Sequence, residues 1–515
     1  MNSRKVFIVV GLIVLSIIAL VSMYWRPILW TLLFFGPLIV IGISDMFQKK
    51  HTIKSNFPLL GNFRYILEKI RPEIMQYFVE TDTEGRPISR MFRTLIYQRA
   101  KNVKDTVPFG TQMDVYSTGY EWMDHSMYAC NHDSINRNPR IEIGGKDCLQ
   151  PYSASLLNIS AMSFGALSKN AVLALNKGAK EGGFAHNTGE GGISPYHLEP
   201  GGDLIWQIGT GYFGCRMANG EFCQDTFAAK AILDNVKMIE IKISQGAKPG
   251  HGGILPAVKN TNEIATIRDV EPFKDVHSPP SHSAFSSAIE LMSFIQLLKD
   301  LSGGKPIGIK LCIGKKQEFI DLCDAMIISG IKPDFITVDG GEGGTGAAPV
   351  EFSNSLGMPL REAISFVSDT LIGYDLKKEI KIVASGKIIS GFHIARIIAL
   401  GADLVNSARA MMMAAGCIQA LQCNNNTCPA GVATQNKALM KGLNVTDKAK
   451  RVESFHRRTI LSFSELIGAA GIENSYDLQR KHINRRVDMH SVLKYDEIFP
   501  PVETRSLIKN KHLNN

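Results

Sequence analysis

The 515-residue sequence predicts an α/β fold, a (β/α)8 TIM barrel preceded by an N-terminal hairpin of two apolar spans. Eight short apolar runs separated by helical segments are the first observation, because strands that alternate with helices indicate a parallel sheet. Most of these runs end in glycine or polar residues, as barrel strands do where they carry an active site. The length, with 45% hydrophobic residues, suffices for one large domain and flanking pieces.

Residues 1–48 are predicted to anchor the chain in a membrane. Residues 6–24 are almost wholly apolar, Trp-Arg-Pro interrupts at 25–27, and residues 28–43 are apolar again. Two tightly turned spans fit this pattern better than one overlong helix, although a single tilted helix stays open because the second run is short. No small-residue cleavage site supports a signal peptide. Basic residues at 4–5 and 49–50 predict that both ends, and with them the catalytic domain, face the cytoplasm.

Residues 49–104 form a basic juxtamembrane segment with predicted helices from about residue 64. The segment holds twelve Lys and Arg against five Asp and Glu, a net charge of +7 out of +9 for the whole chain. A basic stretch directly after apolar spans indicates contact with anionic lipid head groups, and no nucleic-acid-binding pattern accompanies it. An irregular stretch to about residue 150 opens the barrel domain, 105–440, and residues 441–515 are predicted surface helices with a polar tail, KNKHLNN.

The predicted barrel strands are apolar runs of three to seven residues bounded by turn signals. In order they cover residues 156–162, 184–187, 204–208, 238–244, 306–312, 334–338, 381–384 and 404–406.

Glycine-rich loops after the later strands predict a cofactor that carries a flat ring and a phosphate. DGGEGGTGAAP follows the sixth run, and its glycines let the backbone approach a ligand without Cβ obstruction. Ser385, Gly386 and Lys387 follow the seventh run, and Ser407 and Arg409 follow the eighth, where barrels commonly bind phosphate. Ordinary connecting loops are the alternative. GTGYFG at 209–214 matches a dinucleotide motif but precedes no helix pattern, which excludes a Rossmann interpretation.

Polar side chains on the earlier loops predict a substrate site. Lys242, Gln245 and Lys248 in EIKISQGAKPGHGG could clamp a dicarboxylate. Alternatively, Lys242 pairs with a neighbouring carboxylate and Lys248 is solvated. Glu190, in a glycine loop beside His186, could handle protons or ammonia, or cap a turn.

Three cysteines, Cys417, Cys423 and Cys428, form a C-x5-C-x4-C run. Soft thiolates converging from one short segment select an iron–sulfur cluster or zinc, and three ligands favour a three-iron cluster. Buried structural cysteines, or Cys428 alone as a nucleophile, remain alternatives. Nine cysteines, an odd number, indicate a reducing compartment in which disulfides are not expected.

Several motifs together resemble the flavin-binding barrel of glutamate synthases over roughly residues 105–440. They are SAMSFGALS, NTGEGG, KISQGAKPGHGG, GGEGGTGA and the cysteine run with its sequel CPAGVATQ. The apolar N-terminus and RPISRMFRTLIYQRAKNVKDTVPFGTQ are similar to short, free-standing relatives of those enzymes.

The resemblance implies an FMN and a 3Fe-4S cluster, with Cys417, Cys423 and Cys428 as the cluster ligands. It places Lys242, Gln245 and Lys248 on 2-oxoglutarate and Glu190 near ammonia. The FMN contacts that it implies are Met162, Ser163, Phe164, Gln207, Lys310, Gly343, Gly344, Thr345, Gly346, Ser385, Gly386, Lys387 and Ser407.

The implied activity is reductive amination of 2-oxoglutarate to L-glutamate by a flavin that is reduced through the cluster. Full-length glutamate synthases begin with a glutaminase domain whose nucleophile is an N-terminal cysteine, whereas position 2 here is Asn. We therefore expect free ammonia or a glutaminase partner, and a separate electron donor such as a reductase or ferredoxin. His251 stands where those enzymes usually carry an acidic residue, which weakens the substrate assignment.

Two other classes of protein stay open from the sequence. An inosine-monophosphate-dehydrogenase-like barrel would use NAD and Cys428 as its covalent nucleophile, which would leave Cys417 and Cys423 without a role. A membrane-tethered barrel without catalytic activity would keep the fold alone.

Overall fold

The computed structural model divides the chain into two compact units, Met1–Arg86 and Pro87–Asn515, and describes residues 2–131 and 135–508. The predicted polar tail, KNKHLNN, lies outside the described residues. The first unit is helical. Its elements are α1 (Ser3–Ser22), a 3-10 turn (Arg26–Thr31), α2 (Leu32–Phe47), α3 (Thr52–Asn56), α4 (Gly61–Ile74) and a π-helical turn (Met75–Val79).

Helices α1 and α2 form an antiparallel pair joined by the 3-10 turn. The ring of Phe7 in α1 occupies the space that a Cβ on Gly42 of α2 would need. Arg4, at the start of α1, donates a hydrogen bond of 2.8 Å to the carbonyl of Met46 near the end of α2. By length and composition, the helical stretches Ser3–Ser22 and Arg26–Phe47 could each cross a membrane. The two apolar runs of the sequence are therefore two helices.

The second unit contains the strands and the remaining helices. The strands are β1 (Glu121–Met123), β2 (Arg140–Ile143), β3 (Tyr152–Ser155), β4 (Leu157–Ile159), β5 (His186–Asn187), β6 (Leu204–Ile208), β7 (Val236–Lys242), β8 (Ile254–Leu255), β9 (Val276–His277), β10 (Ile307–Leu311), β11 (Phe335–Asp339), β12 (Lys381–Ser385), β13 (Leu404–Ser407), β14 (Ile483–Arg486) and β15 (Val492–Lys494). The helices are α5 (Arg90–Ala100), α6 (Lys169–Gly182), α7 (Pro195–Leu198), α8 (Gln224–Ala231), α9 (Asn262–Arg268), α10 (Ala288–Leu301), α11 (Lys316–Ser329), α12 (Val350–Ser355), α13 (Leu360–Gly373), α14 (Gly391–Ala399), α15 (Arg409–Ala414), α16 (Lys437–Met440), α17 (Val445–Ala469) and α18 (Tyr495–Ile498).

Eight parallel strands close into a barrel in the order β4, β5, β6, β7, β10, β11, β12, β13. Val405 of β13 pairs with Leu157 of β4 and so completes the ring. Each of the eight predicted runs contains or overlaps one of these strands, so the (β/α)8 prediction is confirmed. The strands are almost wholly buried, because the barrel interior covers one face and the surrounding helices cover the other.

The sequence sets the ends of the helices around the barrel locally. Helix α6 begins after Ser168, whose hydroxyl accepts from the backbone N–H of Ala171. It ends at Gly183, which adopts a left-handed conformation with φ of 65° and turns the chain back toward β5. Such sharp ends keep the connecting loops at fixed positions on the barrel rim.

The long helix α17 from the C-terminal part packs onto α6. A Cβ on Gly178 of α6 would lie 2.7 Å from the carbonyl oxygen of Ala449, so the close approach of the two helices requires glycine there. His456 of α17 stacks on Phe184 at 3.9 Å between ring centres and hydrogen-bonds the hydroxyl of Ser155 at 2.9 Å. One face of α17 is therefore part of the core, whereas the sequence predicted only surface helices for residues 441–515.

Strands also occur where the sequence predicted none. The stretch before the barrel, predicted as irregular, carries β1 and β2, and the C-terminal part carries β14 and β15. Strand β1 pairs with β14 across more than 350 residues of chain, with Trp122 opposite Asn484. Isolated strands of three or four residues give little periodicity, so such pairing is decided by tertiary structure.

Candidate active site at the carboxyl ends of the barrel strands

Two adjoining cavities lie where the barrel strands end. The first, of about 110 Å³, is lined largely by residues that follow β10 to β13. The second, of about 160 Å³, is lined largely by residues that follow β4 to β7. Five lining residues belong to both cavities: Ala161, Gln245, Gly344, Thr345 and Ala408. The shared wall makes the two cavities neighbouring halves of one site.

Almost all of the residues predicted to contact the flavin or the substrate line these cavities. The first cavity contacts Gln245, Lys310, Gly343, Gly344, Thr345, Ser385, Gly386, Lys387 and Ser407. The second contacts Met162, Ser163, Glu190, Gln207, Lys242, Gln245, Lys248, Gly344, Thr345 and Gly346. Phe164 is not among the lining residues of either cavity. It is buried beside them, with its ring edge-on to Tyr196 at 4.9 Å between centres.

The first cavity combines cationic side chains with closely packed backbone. Lys310 lies 3.7 Å from the carboxylate of Asp339, which also accepts a 2.8 Å hydrogen bond from the backbone N–H of Gly246. Arg409 donates to the carbonyl of Glu342 at 2.8 Å. A Cβ on Gly344 would lie 2.9 Å from a nitrogen of Arg409, so the glycine leaves room for the guanidinium.

Two loops meet backbone to backbone beneath this cavity. A Cβ on Gly246 would overlap the carbonyl oxygen of Gly340, and one on Gly343 would lie 3.2 Å from the backbone nitrogen of Ala247. The glycines of the KISQG and GGEGG motifs are thus required by contact between the two loops, as well as by any approach to a ligand.

The second cavity concentrates buried charge. Lys242, at the end of β7, forms a 2.9 Å ion pair with Glu190 on the loop after β5. The sequence left open whether this lysine clamps a ligand or pairs with a carboxylate. In the structure it does the latter while lining the cavity. Lys248 is buried and donates to the carbonyl of Gly252 at 2.8 Å, so it is not the solvated side chain of the alternative interpretation.

Arg268 adds a third cation that the sequence analysis missed. It is the last residue of α9, is buried, and lines the second cavity. Its guanidinium donates to the carbonyl of Phe164 at 3.1 Å and lies 5.2 Å from the ring centre of Phe213, while its Nε has no hydrogen-bond partner among the described residues. No glycine loop or motif surrounds it in the sequence, so no local signal pointed to it.

The charges in this cavity perturb one another. Burial alone would raise the pKa of Glu190, but Lys242, Lys248 and Arg268 outweigh it and lower that pKa, so the group is a carboxylate. Burial lowers the pKa of Lys248 to about 8, although Glu190 opposes the shift. Burial also lowers the pKa of Arg268 to about 10, which leaves it charged at neutral pH.

A buried carboxylate inside the barrel orients one of the predicted ligand contacts. Glu240 of β7 accepts hydrogen bonds from Gln207 at 2.5 Å, from Asn187 at 2.8 Å and from Thr337 at 2.6 Å. The amide of Gln207 is thereby held in one orientation where it reaches the second cavity. From the sequence, Glu240 is predicted only to lie in the strand 238–244.

The three cysteines follow α15 on a loop beside the second cavity. Cys428 is buried, and Cys417 and Cys423 are partly buried. Burial, together with the nearby Cys423 and Cys428 thiols, raises the pKa of Cys417 to about 11, although a backbone hydrogen bond opposes the shift. A Cβ on Gly346 would lie 3.0 Å from the Cβ of Cys423, so the cysteine loop touches the glycine loop shared by both cavities.

Lys259 ties the cysteine loop to its surroundings. Its buried ammonium group donates to the carbonyl of Cys423 at 2.7 Å, of Ala433 at 3.1 Å and of Ala166 at 3.4 Å. Among the described residues, no group of three or more His, Cys, Asp and Glu converges to hold a single metal ion. This finding concerns a single metal ion. In an iron–sulfur cluster each thiolate binds a different iron, so the cysteines need not converge on one point.

Comparisons of the sequence with known proteins agree on one family. The family described as "Conserved region in glutamate synthase" matches residues 104–473. A glutamate synthase large subunit-like protein of Bacillus subtilis is 39% identical over 498 residues, which are 89% of this chain and 94% of that protein. The archaeal glutamate synthase [NADPH] of Methanocaldococcus jannaschii is 38% identical over 323 residues, 62% of this chain and 60% of that enzyme.

Among solved structures, the flavin-binding domain of baker's yeast flavocytochrome b2 covers 83% of this chain, and this chain covers 88% of that domain. The two are 10% identical, with a TM-score of 0.45. The family match covers well over half of the described chain, and the Bacillus relative extends over nearly its full length. The chain therefore belongs to the glutamate synthase family.

Proposed function

We propose that the chain is a flavin- and iron–sulfur-dependent oxidoreductase that reductively aminates a 2-oxo acid, with 2-oxoglutarate and ammonia as substrates and L-glutamate as product. The observation that carries the proposal is the pair of cavities with a shared wall. One cavity suits a phosphate and a flat ring, and the other suits carboxylates.

The residues of the first cavity fit FMN. Lys310, Lys387 and Arg409 supply positive charge for a phosphate and for an electron-rich ring, and Gly343 and Gly344 expose backbone where a side chain would intrude. Bound FMN would supply hydride transfer, and a cluster on the three cysteines would supply electrons one at a time. Soft thiols on one loop that contacts Gly346 are a donor set suited to such a cluster.

The residues of the second cavity fit a dicarboxylate. Three cations, Lys242, Lys248 and Arg268, face one carboxylate, Glu190, and leave a net charge of +2 when Lys248 is protonated. The two carboxylates of 2-oxoglutarate would balance that charge. Holding both ends of the substrate fixes its C2 carbonyl in the cavity, and orientation of this kind supplies much of the rate of an enzyme.

In this proposal, Glu190 receives ammonia. It borders a narrow opening of about 10 Å³ beside Lys242 and His251, and this opening shares Ile243, Ser244 and Pro280 with an outer cavity of about 600 Å³. We infer that ammonia passes from the outer cavity to the anionic carboxylate. Ammonia then adds to C2, water leaves, and the resulting imine takes up a proton. Two electrons and a second proton reduce this iminium to the amine.

In this proposal, electrons and ammonia both come from outside the chain. Electrons would come from a separate reductase or ferredoxin, and ammonia from solution or from a glutaminase partner. Helices α1 and α2 would anchor the protein in a membrane, with the barrel in the cytoplasm.

The test is anaerobic purification in detergent, followed by visible absorption and metal analysis. We expect bound FMN and about three irons per chain. Reduced protein should then be reoxidised by 2-oxoglutarate with ammonium, but by neither compound alone. Colourless, iron-free protein would contradict the oxidoreductase class. Reoxidation by another 2-oxo acid or amine, but not by this pair, would contradict the substrates alone.

A further inference from the structure

Helix α4 exposes a continuous apolar stripe. Its large apolar side chains recur every three or four residues and each has between 37% and 61% of its surface exposed: Phe63, Ile66, Leu67, Ile70 and Ile74. At 3.6 residues per turn these side chains span an arc of about 100°, and the charged residues Arg64, Glu68, Lys69, Arg71 and Glu73 occupy the rest of the circumference. The π-helical turn continues the stripe with exposed Tyr77 and Phe78.

Hydrogen bonds hold the start of α4 at one end of the α1–α2 pair. The buried carboxylate of Asp45, in the last turn of α2, accepts from the side chain of Asn62 at 2.5 Å. Arg4, in the first turn of α1, donates to Met46 at 2.8 Å and to the carbonyl of Ser55 at 2.7 Å. The beginning of α1, the end of α2 and the beginning of α4 therefore meet at one place.

Basic residues surround this meeting point. Between residues 49 and 79 the chain has six Lys and Arg against two Glu, a net charge of +4. Lys49 and Lys50 are exposed just after α2, and the ammonium of Lys54 lies 5.0 Å from the ring centre of Tyr65 on α4. Positive charge beside an apolar stripe is the combination that binds an anionic lipid surface.

We propose that α4 lies in the plane of a membrane at the end where α1 begins and α2 ends, with its apolar stripe among the acyl chains and its basic residues at anionic head groups. The inference rests on the anchoring by α1 and α2 proposed above. An amphipathic helix with this pattern binds by burying its apolar face at the boundary between head groups and acyl chains. The hydrogen bonds of Asp45 and Arg4 hold the start of α4 at the end of the anchor where α1 begins and α2 ends.

Site-specific photo-crosslinking of the full chain in vesicles tests the proposal. Leu67→p-benzoylphenylalanine places the photoreactive group on the stripe, and Glu68→p-benzoylphenylalanine is the matched control on the opposite side of the same helix. In vesicles of phosphatidylcholine and phosphatidylglycerol, we expect a lipid adduct at position 67 and none at position 68. Replacing the anionic lipid by phosphatidylcholine should lower the yield at position 67.

A third variant, Leu12→p-benzoylphenylalanine in α1, separates failure of the anchor from failure of the inference. A lipid adduct at position 12 without one at position 67 would overturn the surface helix while leaving the anchor intact. No lipid adduct at either position would overturn both. A protein dimer crosslinked through position 67 would show that a second copy covers the stripe, which overturns the lipid assignment. Equal yields in both lipid mixtures would overturn the part assigned to anionic head groups.

Discussion

Binding of 2-oxoglutarate should weaken as Lys248 loses its proton. Lys248 is 2% exposed and lines the second cavity, and burial lowers its pKa from 10.5 to about 8. At 1.36 kcal/mol per unit, the shift corresponds to about 3 kcal/mol in favour of the neutral amine. A neutral amine cannot form the ion pair with a substrate carboxylate. Lys248 carries its positive charge below its pKa and loses it above. The ion pair with the substrate is therefore available below about pH 8 and is lost above it.

The expected change follows from the protonated fraction of this one group. Between about pH 7 and about pH 9, the dissociation constant for 2-oxoglutarate should rise about tenfold. Lys248→Arg should remove most of this dependence, since a guanidinium stays charged throughout the range. Lys248→Met should bind weakly at every pH and show no comparable break. Arg268, with a pKa of about 10, stays charged and contributes little to the change.

Isothermal titration calorimetry with 2-oxoglutarate across this pH range measures the effect directly. A dissociation constant that stays the same from about pH 7 to about pH 9 in the unaltered protein would refute the reasoning. So would a Lys248→Arg variant with the same tenfold loss, because another group would then be responsible.

Three further substitutions have defined outcomes. Gly246→Ala should destabilise the protein by about 3 kcal/mol or more and abolish FMN binding, because its Cβ overlaps a main-chain oxygen of the facing loop. Thermal unfolding and flavin absorbance measure the two effects. Lys259→Met leaves three carbonyls without their donor, at about 1–3 kcal/mol each, and should lower the iron content of the purified protein. Cys428→Ser should remove iron and turnover together, as should Cys417→Ser and Cys423→Ser, which is measured by metal analysis and single-turnover oxidation.

Each of these has a matched control. A Cβ on Gly314 meets no described atom within 4 Å, so Gly314→Ala should keep its flavin. Lys305 lies just before β10, at the opposite end of the barrel, where it is buried and donates to the carbonyls of Ala231 and Leu233. Lys305→Met should therefore keep its iron. Buried Cys312 precedes the cysteine loop by about a hundred residues, and Cys312→Ser should keep the cluster. If turnover fell with Cys428→Ser alone and iron were unaffected, Cys428 would be a nucleophile and the cluster assignment would be wrong.

Most of the barrel could be predicted from local patterns. The strand β6 coincides with its predicted run, and the other barrel strands differ from their runs by a few residues at the ends. Buried parallel strands are short, continuous apolar runs, and that pattern is visible in sequence without knowledge of neighbours. The pairing of β1 with β14 could not be predicted in this way, because each strand is short and the partners are far apart in the chain.

The same division holds for the candidate site. Glycine loops, the cysteine run and the lysines of KISQGAK form contiguous motifs. The fold class, the end of the barrel that carries the candidate site and most of the residues that line its cavities could therefore be predicted from local patterns. Arg268 and Lys259 lie in stretches without such a motif, and Glu240 stands two residues before KISQGAK in a run that predicts only a strand. Their roles depend on which groups face them across the barrel: Glu190 near Arg268, Gln207 beside Glu240, and the cysteine loop over Lys259.

Those partners, and the charge balance of the second cavity, depend on the tertiary structure. A pattern in the sequence indicates the conformation and burial of residues within a single helix or strand. The energy of a buried charge depends on every group within a few ångströms, and those groups come from loops that only the closed barrel brings together.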